Sequence, residues 1–316
     1  MTSADTSHTR VLAVVGPTAV GKTAVAEELA ARLGGEIVSA DAMQVYRGMD
    51  IGTAKPDPAE RRVRYHCLDL AAPGEPFSAA LFQQAARLAI ADIADGDRLP
   101  VLAGGTGLYV RAALDAWEFP SGEQADNPVR AHYAAVAATE GSVALHARLA
   151  ERDPAAAALI HPNNVRRTVR ALEMLDAGTS YAEQHAGFST RESVYDARIL
   201  GLTMDRQRLY ERIDVRVDAM VASGLVDEVE ALIGAGLRDA VTAAQAIGYK
   251  EFVPVIEDGA DLAEAVAAVK KASRRYAKRQ LTWFRADPRV IWLDVTDLSP
   301  EHAANAALDA LDWSPL

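Results

Sequence analysis

The sequence predicts an α/β fold: a P-loop NTPase-like parallel sheet flanked by helices, carrying a helical insertion domain. Three observations predict it. An apolar run at 11–15 leads through Gly16-Pro17-Thr18-Ala19-Val20-Gly21-Lys22-Thr23 into a helix-forming stretch at 24–33, which is strand, glycine loop and helix with the G-x-x-x-x-G-K-[ST] spacing of a phosphate-binding loop. Short apolar strands then alternate with helical patterns, as in parallel sheets covered on both faces. Half of the 316 residues are apolar yet only 6% are aromatic, a composition suited to helices packed on a sheet. This length allows one large domain with an insertion, or two domains.

Residues 1–9 are polar, lack a signal-peptide core and are expected to fray. Strand one covers 11–15. In the loop after it, glycines let successive N–H groups point at one anion, and the helix N-terminus adds partial positive charge. Lys22 would reach the outer phosphate and the Thr23 hydroxyl would sit on a divalent cation. Chance supplies the eight-residue pattern in roughly one chain in a hundred of this length, and the flanking strand and helix lower that further. Helix one runs to about Leu33 and stops at Gly34-Gly35. Residues 36–39 form strand two, with Asp41 just past its end. Ligands in parallel sheets lie at the carboxyl ends of strands, so this carboxylate would face the loop's anion; the bland alternative is a cap or loop residue. Gln44 could pair with a base edge or be solvated.

Residues 42–76 are rich in Gly and Pro and read as loop able to handle a ligand. A helix at 78–94 places Leu81, Ala85, Leu88 and Ile93 on one side. Strand three, 99–103, ends in Gly104-Gly105-Thr106-Gly107, a turn where a backbone or ligand could approach closely and Thr106 could donate, although a tight turn alone explains it. The pattern changes near Pro120. Residues 121–195 read as the helical insertion, leaving 10–120 and 196–316 as the core domain. Within the latter, a strand is expected at 198–203, helices at 206–222, 224–235, 242–252 and 261–285, a strand at 290–295 and a closing helix at 300–311.

An NTP-hydrolysing enzyme usually has an acid at a strand end near the phosphate loop. Strand three ends in Gly-Gly instead, and the strand-end acids left over are Asp41, Asp205 and Asp294, with Asp69 in a segment of unassigned structure. The helix over 270–285 contains no acid, and Lys271, Arg274, Arg275 and Lys278 share one face, with Tyr276, Trp283 and Phe284 interleaved. A solvated basic helix would carry Glu at i±4, so an anionic partner is expected. Arg166, Arg167 and Arg170 form a second cluster, and the two could grip a polyanion between them. The net charge of −11 at first argues against nucleic acid, but local clustering is the better guide. Cys67 is the only cysteine, which excludes an intramolecular disulfide and fits a reducing cytosol. No apolar run reaches membrane-spanning length. A soluble, cytoplasmic protein without a membrane partner is expected, and nothing demands more than a monomer.

Taken together, these stretches resemble the tRNA dimethylallyltransferase (IPP transferase) family over about residues 10–295. The resemblance rests on the phosphate loop, on Ser39-Ala40-Asp41-Ala42-Met43-Gln44-Val45-Tyr46-Arg47 and on Ile51-Gly52-Thr53-Ala54-Lys55-Pro56. It continues through Gly104 to Tyr109, Arg167 to Glu173, Gln245-Ala246-Ile247-Gly248-Tyr249-Lys250-Glu251 and Tyr276 to Phe284. One departure is Ala42, where the family usually has Ser. The resemblance implies transfer of a dimethylallyl group from dimethylallyl diphosphate to N6 of an adenosine beside the tRNA anticodon, with Mg2+ as cofactor. The loop residues Gly16, Pro17, Thr18, Ala19, Val20, Gly21, Lys22 and Thr23 would hold the diphosphate, and Thr23 the metal. Asp41 would be the base that takes the N6 proton. Thr18, Lys22 and Arg216 would neutralise the leaving group. The adenine would be flipped out of the anticodon stem-loop. The implied tRNA contacts are Asp41, Ala42, Met43, Gln44, Thr106, Arg130, Arg166, Arg167, Arg170, Gln245, Gly248, Tyr249, Lys250, Lys278, Arg279, Gln280 and Arg285. The alternatives are an ATP-dependent small-molecule kinase, a prenyltransferase acting on free adenine nucleotides, and an RNA-binding module that leaves the phosphate loop unused.

Overall fold

A computed structural model describes residues 9–119, 127–240 and 242–313. The expected fraying over 1–9 and the expected domain change at Pro120 fall on 1–8 and 120–126, outside the described residues, apart from Thr9. Packing divides the chain into two units, Met1–Leu114 with Ser193–Leu316, and Asp115–Glu192.

Six strands build the first unit: β1 (Arg10–Val15), β2 (Gly35–Ser39), β3 (Tyr65–His66), β4 (Leu99–Gly104), β5 (Asp196–Thr203) and β6 (Val290–Asp294). They form one sheet, ordered β3-β2-β4-β1-β5-β6, with every pairing parallel. Val11, Ala13 and Val15 of β1 enter one core, while Leu12 and Val14 enter the other. Both sides of the strand are therefore dry, which is why it reads as an unbroken apolar run. The first core is covered by α2 (Ala79–Asp95), α3 (Gly107–Leu114) and α10 (Leu225–Gly234). The second lies under α1 (Lys22–Leu33), α9 (Arg206–Ala222) and α13 (Pro300–Ala310). The long α12 (Leu262–Arg285) serves both, with Val269 and Phe284 in the first core and Ala277 in the second. Because β4 and β5 flank β1 on opposite sides, the chain reverses its direction of winding there, and a crevice opens at the carboxyl ends of the strands.

Three expectations need correction. The stretch 42–76 is not all loop: Tyr65–His66 pairs with Ile37 and Val38 as an edge strand, so 99–104 is the fourth strand. Two residues are too few to show a period of two. On α2 the buried stripe is Phe82, Ala86, Ala89, Ile90 and Ile93, whereas Leu81 and Leu88 are 45% and 67% exposed. Two stripes on that helix are apolar, and the one with the larger summed volume faces the core. The helix expected at 242–252 does not form. A 3-10 turn at Ala243–Gln245 is followed by Gly248 at φ 91° and a short α11, Val253–Asp258; the left-handed glycine breaks the helical path.

In the second unit, α4 (Pro128–Glu140), α5 (Ser142–Arg152), α6 (Pro154–Leu159), α7 (Val165–Asp176) and α8 (Tyr181–Gly187) pack around Tyr133, Leu145, Leu149, Ala156 and Leu172, with no strand element among the described residues.

Candidate active site

The loop after β1 turns through Gly16 at φ 148°, Ala19 at φ 65° and Gly21 at φ 103°. No side chain caps α1, so the N–H groups of its first turn are open to an anion. Lys22 folds back and donates from Nζ to the Pro17 carbonyl at 2.7 Å. Burial, and next the positive Arg216, push its ammonium down to about 7, with Asp41 opposing.

Two cavities meet here. The smaller, about 110 Å³, is lined by Thr18, Lys22, Thr23, Asp41, Arg216 and Gln280 among others. The larger, about 480 Å³, has an apolar wall of Ile213, Val217, Met220, Ile247 and Val269. Thr18, Asp41, Thr53, Arg216 and Tyr276 line both. A polar, anion-sized compartment therefore shares a wall with a compartment large enough for a base and a short hydrocarbon.

Asp41 stands on that wall with one oxygen committed. Its Oδ1 accepts from the Met43 N–H at 2.9 Å, while Oδ2 has no hydrogen-bond partner among the described residues. The turn is held from β4: Thr106 Oγ1 accepts from the Ala42 N–H at 3.0 Å, and the Thr106 N–H donates to the Ala40 carbonyl at 3.2 Å. Because residue 42 is gripped through its backbone, an alanine there leaves this anchorage intact. A Cβ on Gly104 would collide with the Ala40 backbone and one on Gly105 with the Gln280 amide, so the close approach depends on both glycines. Arg216, partly buried on α9, reaches the same wall; burial lowers its guanidinium from the usual value and Asp41 opposes this. Tyr276 completes it. Burial first, then Asp41, pushes its phenol up to about 12 against hydrogen bonds from Thr106 and Gln280, so it remains protonated.

Several expected tRNA contacts have other partners. Gln44 accepts from Ser39 Oγ at 2.8 Å and donates to the Thr53 and Ala54 carbonyls at 3.3 and 3.4 Å, so its amide is engaged within the protein. Gln280 is buried, accepting from the Thr18 N–H at 2.8 Å and donating to the Gly105 carbonyl at 2.9 Å. It ties the phosphate loop to the second glycine turn. Tyr249 is fully buried and donates to Glu228 at 2.7 Å. Met43, Gln245, Gly248, Tyr249 and Lys250 all line the larger cavity, Gly248 and Tyr249 buried and the other three with some exposure. Arg279 lines it too, its guanidinium 5.5 Å from the Tyr276 ring centre.

The basic stripe of α12 is thinner than its sequence suggests. Arg274 makes two 2.7 Å bonds to Asp214, and Lys270 one of 2.7 Å to Asp218, both acids on α9. The balancing carboxylates come from another element, where a helix's own i±4 pattern cannot show them. Lys271, Arg275 and Lys278 are exposed without an ion pair among the described residues, and Arg285 is exposed 6.0 Å from the Trp292 ring. In the second unit, Arg130 and Arg170 converge on the buried Glu173 at 2.8 and 2.6 Å, which leaves Arg166 and Arg167 as the exposed pair on α7. Sequence reasoning quoted Thr53 within a motif without giving it a role, missed Glu228, which lies in no quoted motif, and undervalued Tyr276, whose i−4 spacing from Gln280 was the available clue.

A family model described as IPP transferase matches residues 44–287, and one described as isopentenyl transferase matches 9–65. The chain belongs to the IPP transferase family. A tRNA dimethylallyltransferase of Geobacillus kaustophilus is 49% identical over 290 residues, covering 91% of each protein. The crystal structure of the tRNA isopentenylpyrophosphate transferase of Bacillus halodurans is 45% identical, covers 96% of this chain and 97% of its own, and superposes with a TM-score of 0.69. A eukaryotic dimethylallyltransferase captured acting on tRNA is 27% identical, covering 95% of this chain and 78% of its own, with a TM-score of 0.78. The fold and the family expected from the sequence are both borne out.

Proposed function

We propose that this chain transfers the dimethylallyl group of dimethylallyl diphosphate to N6 of an adenosine next to the anticodon of tRNA. The observation that carries the reading is the wall shared by the two cavities, where the free oxygen of Asp41 and the guanidinium of Arg216 both stand. The diphosphate lies in the small compartment against the loop N–H groups and Lys22. The hydrocarbon and the flipped adenine occupy the larger one. The N6 lone pair attacks C1 of the allyl group, the C1–O bond breaks, and diphosphate leaves with the bonding pair. Asp41 Oδ2 takes the N6 proton, which restores an amine whose lone pair is otherwise drawn into the ring. Lys22, Arg216 and the loop N–H groups meet the negative charge that grows on the departing oxygen.

The residues present suit Mg2+. Thr23 lines the small cavity with a hydroxyl that has no hydrogen-bond partner among the described residues, and Mg2+ is commonly held by one or two protein oxygens together with substrate phosphates and water. No cluster of three or more His, Cys, Asp or Glu able to hold a metal exists among the described residues, so Thr23 and the diphosphate would supply the ligands. Bound there, the ion adds charge neutralisation at the leaving group. A kinase reading is disfavoured because β4 ends in Gly104-Gly105, without the strand-end acid that orders a γ-phosphate transfer. Arg275 and Lys278 on α12, with Arg166 and Arg167 on α7, are among the exposed cations available for the tRNA backbone. One copy of the chain suffices for this chemistry.

Incubation with Mg2+, labelled dimethylallyl diphosphate and unmodified tRNA, with AMP and ATP as competing acceptors, tests the reading. Label is expected in tRNA, at the adenosine beside the anticodon. Label in AMP but never in tRNA would replace it with prenylation of free nucleotides.

A further inference from the structure

We propose that Glu228, on α10, is a positioning residue for prenyl transfer: its carboxylate fixes the segment 50–53 and, through the Thr53 carbonyl, the guanidinium of Arg216. The inference rests on the role given to Arg216 above. Glu228 Oε2 accepts from the Asp50 and Ile51 N–H groups at 3.1 and 2.8 Å, and Oε1 accepts from the Gly52 N–H at 3.2 Å and the Tyr249 hydroxyl at 2.7 Å. Three successive N–H groups converging on one point form an anion nest of the kind that usually receives a phosphate. Here the protein supplies the anion, and charge-assisted bonds of this type are about twice as strong as neutral ones. The backbone at Gly52 also lies against the Tyr249 ring, where a Cβ would come within 2.5 Å of a ring carbon.

One residue further on, the segment becomes cavity wall. Thr53 Oγ1 donates to the Met49 carbonyl at 2.6 Å, closing the turn. The Thr53 carbonyl accepts from Gln44 Nε2 at 3.3 Å and from an Arg216 terminal nitrogen at 3.5 Å. Among the described residues this carbonyl is the only hydrogen-bond partner of Arg216. The guanidinium is therefore aimed by a carbonyl, the carbonyl by a turn, and the turn by Glu228. Misplacing a reacting or stabilising group by about 1 Å can cost about 100-fold in rate.

Glu228→Gln tests this, because whichever way its amide faces, the NH2 group meets donors and pushes the turn away. In protein with a cooperative thermal transition, turnover is expected to fall about 10- to 100-fold, with tRNA affinity unchanged within about threefold. In an Arg216→Ala background the same change is expected to cost less than about threefold, since coupled residues are non-additive. Tyr249→Phe, which keeps the ring, is expected to give a smaller loss with the same dependence on Arg216. A readout independent of activity is the NMR signal of the labelled Arg216 guanidinium, assigned by its loss in Arg216→Ala, which is expected to shift in Glu228→Gln as the Thr53 carbonyl moves away from it. Equal losses in both backgrounds, or an Arg216 signal unmoved in Glu228→Gln, would overturn the proposal. Failure of prenyl transfer in the parent protein would instead sink the function proposed above, and the Arg216 signal would still decide the role of Glu228.

Discussion

Asp41 shows how a residue can satisfy a bland and a chemical reading at once. Its Oδ1 holds a turn by accepting from the Met43 N–H, while Oδ2 has no hydrogen-bond partner among the described residues and the side chain lines both cavities. Asp41→Asn keeps the turn, since an amide oxygen can accept the same bond, and removes the base. Turnover is expected to fall about 10²–10⁴-fold with tRNA binding retained; near-parental turnover in a single-turnover assay would remove the residue from the chemistry. Lys22 carries a second expectation. Its ammonium titrates near 7 in the free protein because burial and Arg216 disfavour the charge, and a bound diphosphate restores it. Above about pH 7, binding must therefore take up a proton, and affinity must fall as the pH rises. Calorimetry in two buffers of different ionisation enthalpy measures that uptake, which should vanish in Lys22→Met. Asp41 and Lys22 were legible in the sequence because a strand end and a glycine-loop motif locate them. Gln44, Gln280 and Tyr249 have partners within the protein that the sequence could not reveal, since an amide or phenol that serves the interior has the same letter as one that serves a ligand.

At the scale of elements, α12 has three jobs that follow its faces. The outer face carries Arg275 and Lys278, the face toward α9 carries Lys270 and Arg274, and the inner face carries Gln280. Arg275→Ala with Lys278→Ala is expected to weaken tRNA binding and lower the slope of log K against log salt by about 1–2. Arg274→Ala is expected to leave that slope unchanged, because its charge is already balanced by Asp214. Filter binding across a salt series separates the two. Gln280→Ala leaves the Thr18 N–H and the Gly105 carbonyl without their partner, at an expected cost of about 1–3 kcal/mol, read as a lower thermal midpoint. Most elements could be read from apolar runs and helix-forming stretches, and the starts expected at 78 and 261 fall on the residues that cap α2 and α12, Ser78 and Asp261. The misses have common causes: β3 is too short for periodicity, the faces of α2 compete, and the acids that partner α12 lie about 55 residues upstream in the chain.

At the scale of the molecule, the unit Asp115–Glu192 is spliced in at a single point. The Val194 N–H donates to the Leu114 carbonyl at 2.8 Å, so the chain returns to the first unit beside the residue at which it left. Joining Leu114 to Ser193 through a short glycine linker is expected to leave a folded sheet unit that still binds dimethylallyl diphosphate but holds tRNA more weakly, lacking Arg166 and Arg167. Loss of diphosphate binding in a folded excision variant would show that the site depends on the second unit.

Gln280 also sets a clock. The bond from the Thr18 N–H to its side chain joins positions 262 residues apart, so the phosphate loop, made well before α12, lacks its strap until α12 has been made. At about 5–20 residues per second, that is a wait of roughly 10–50 s. Throughout it, β1 and α1 can form locally while the loop has no fixed register against the Gly104-Gly105 turn. A nascent chain thus reaches the finished geometry of the loop only when α12 docks, and variants that slow that docking should prolong the interval without altering the finished structure.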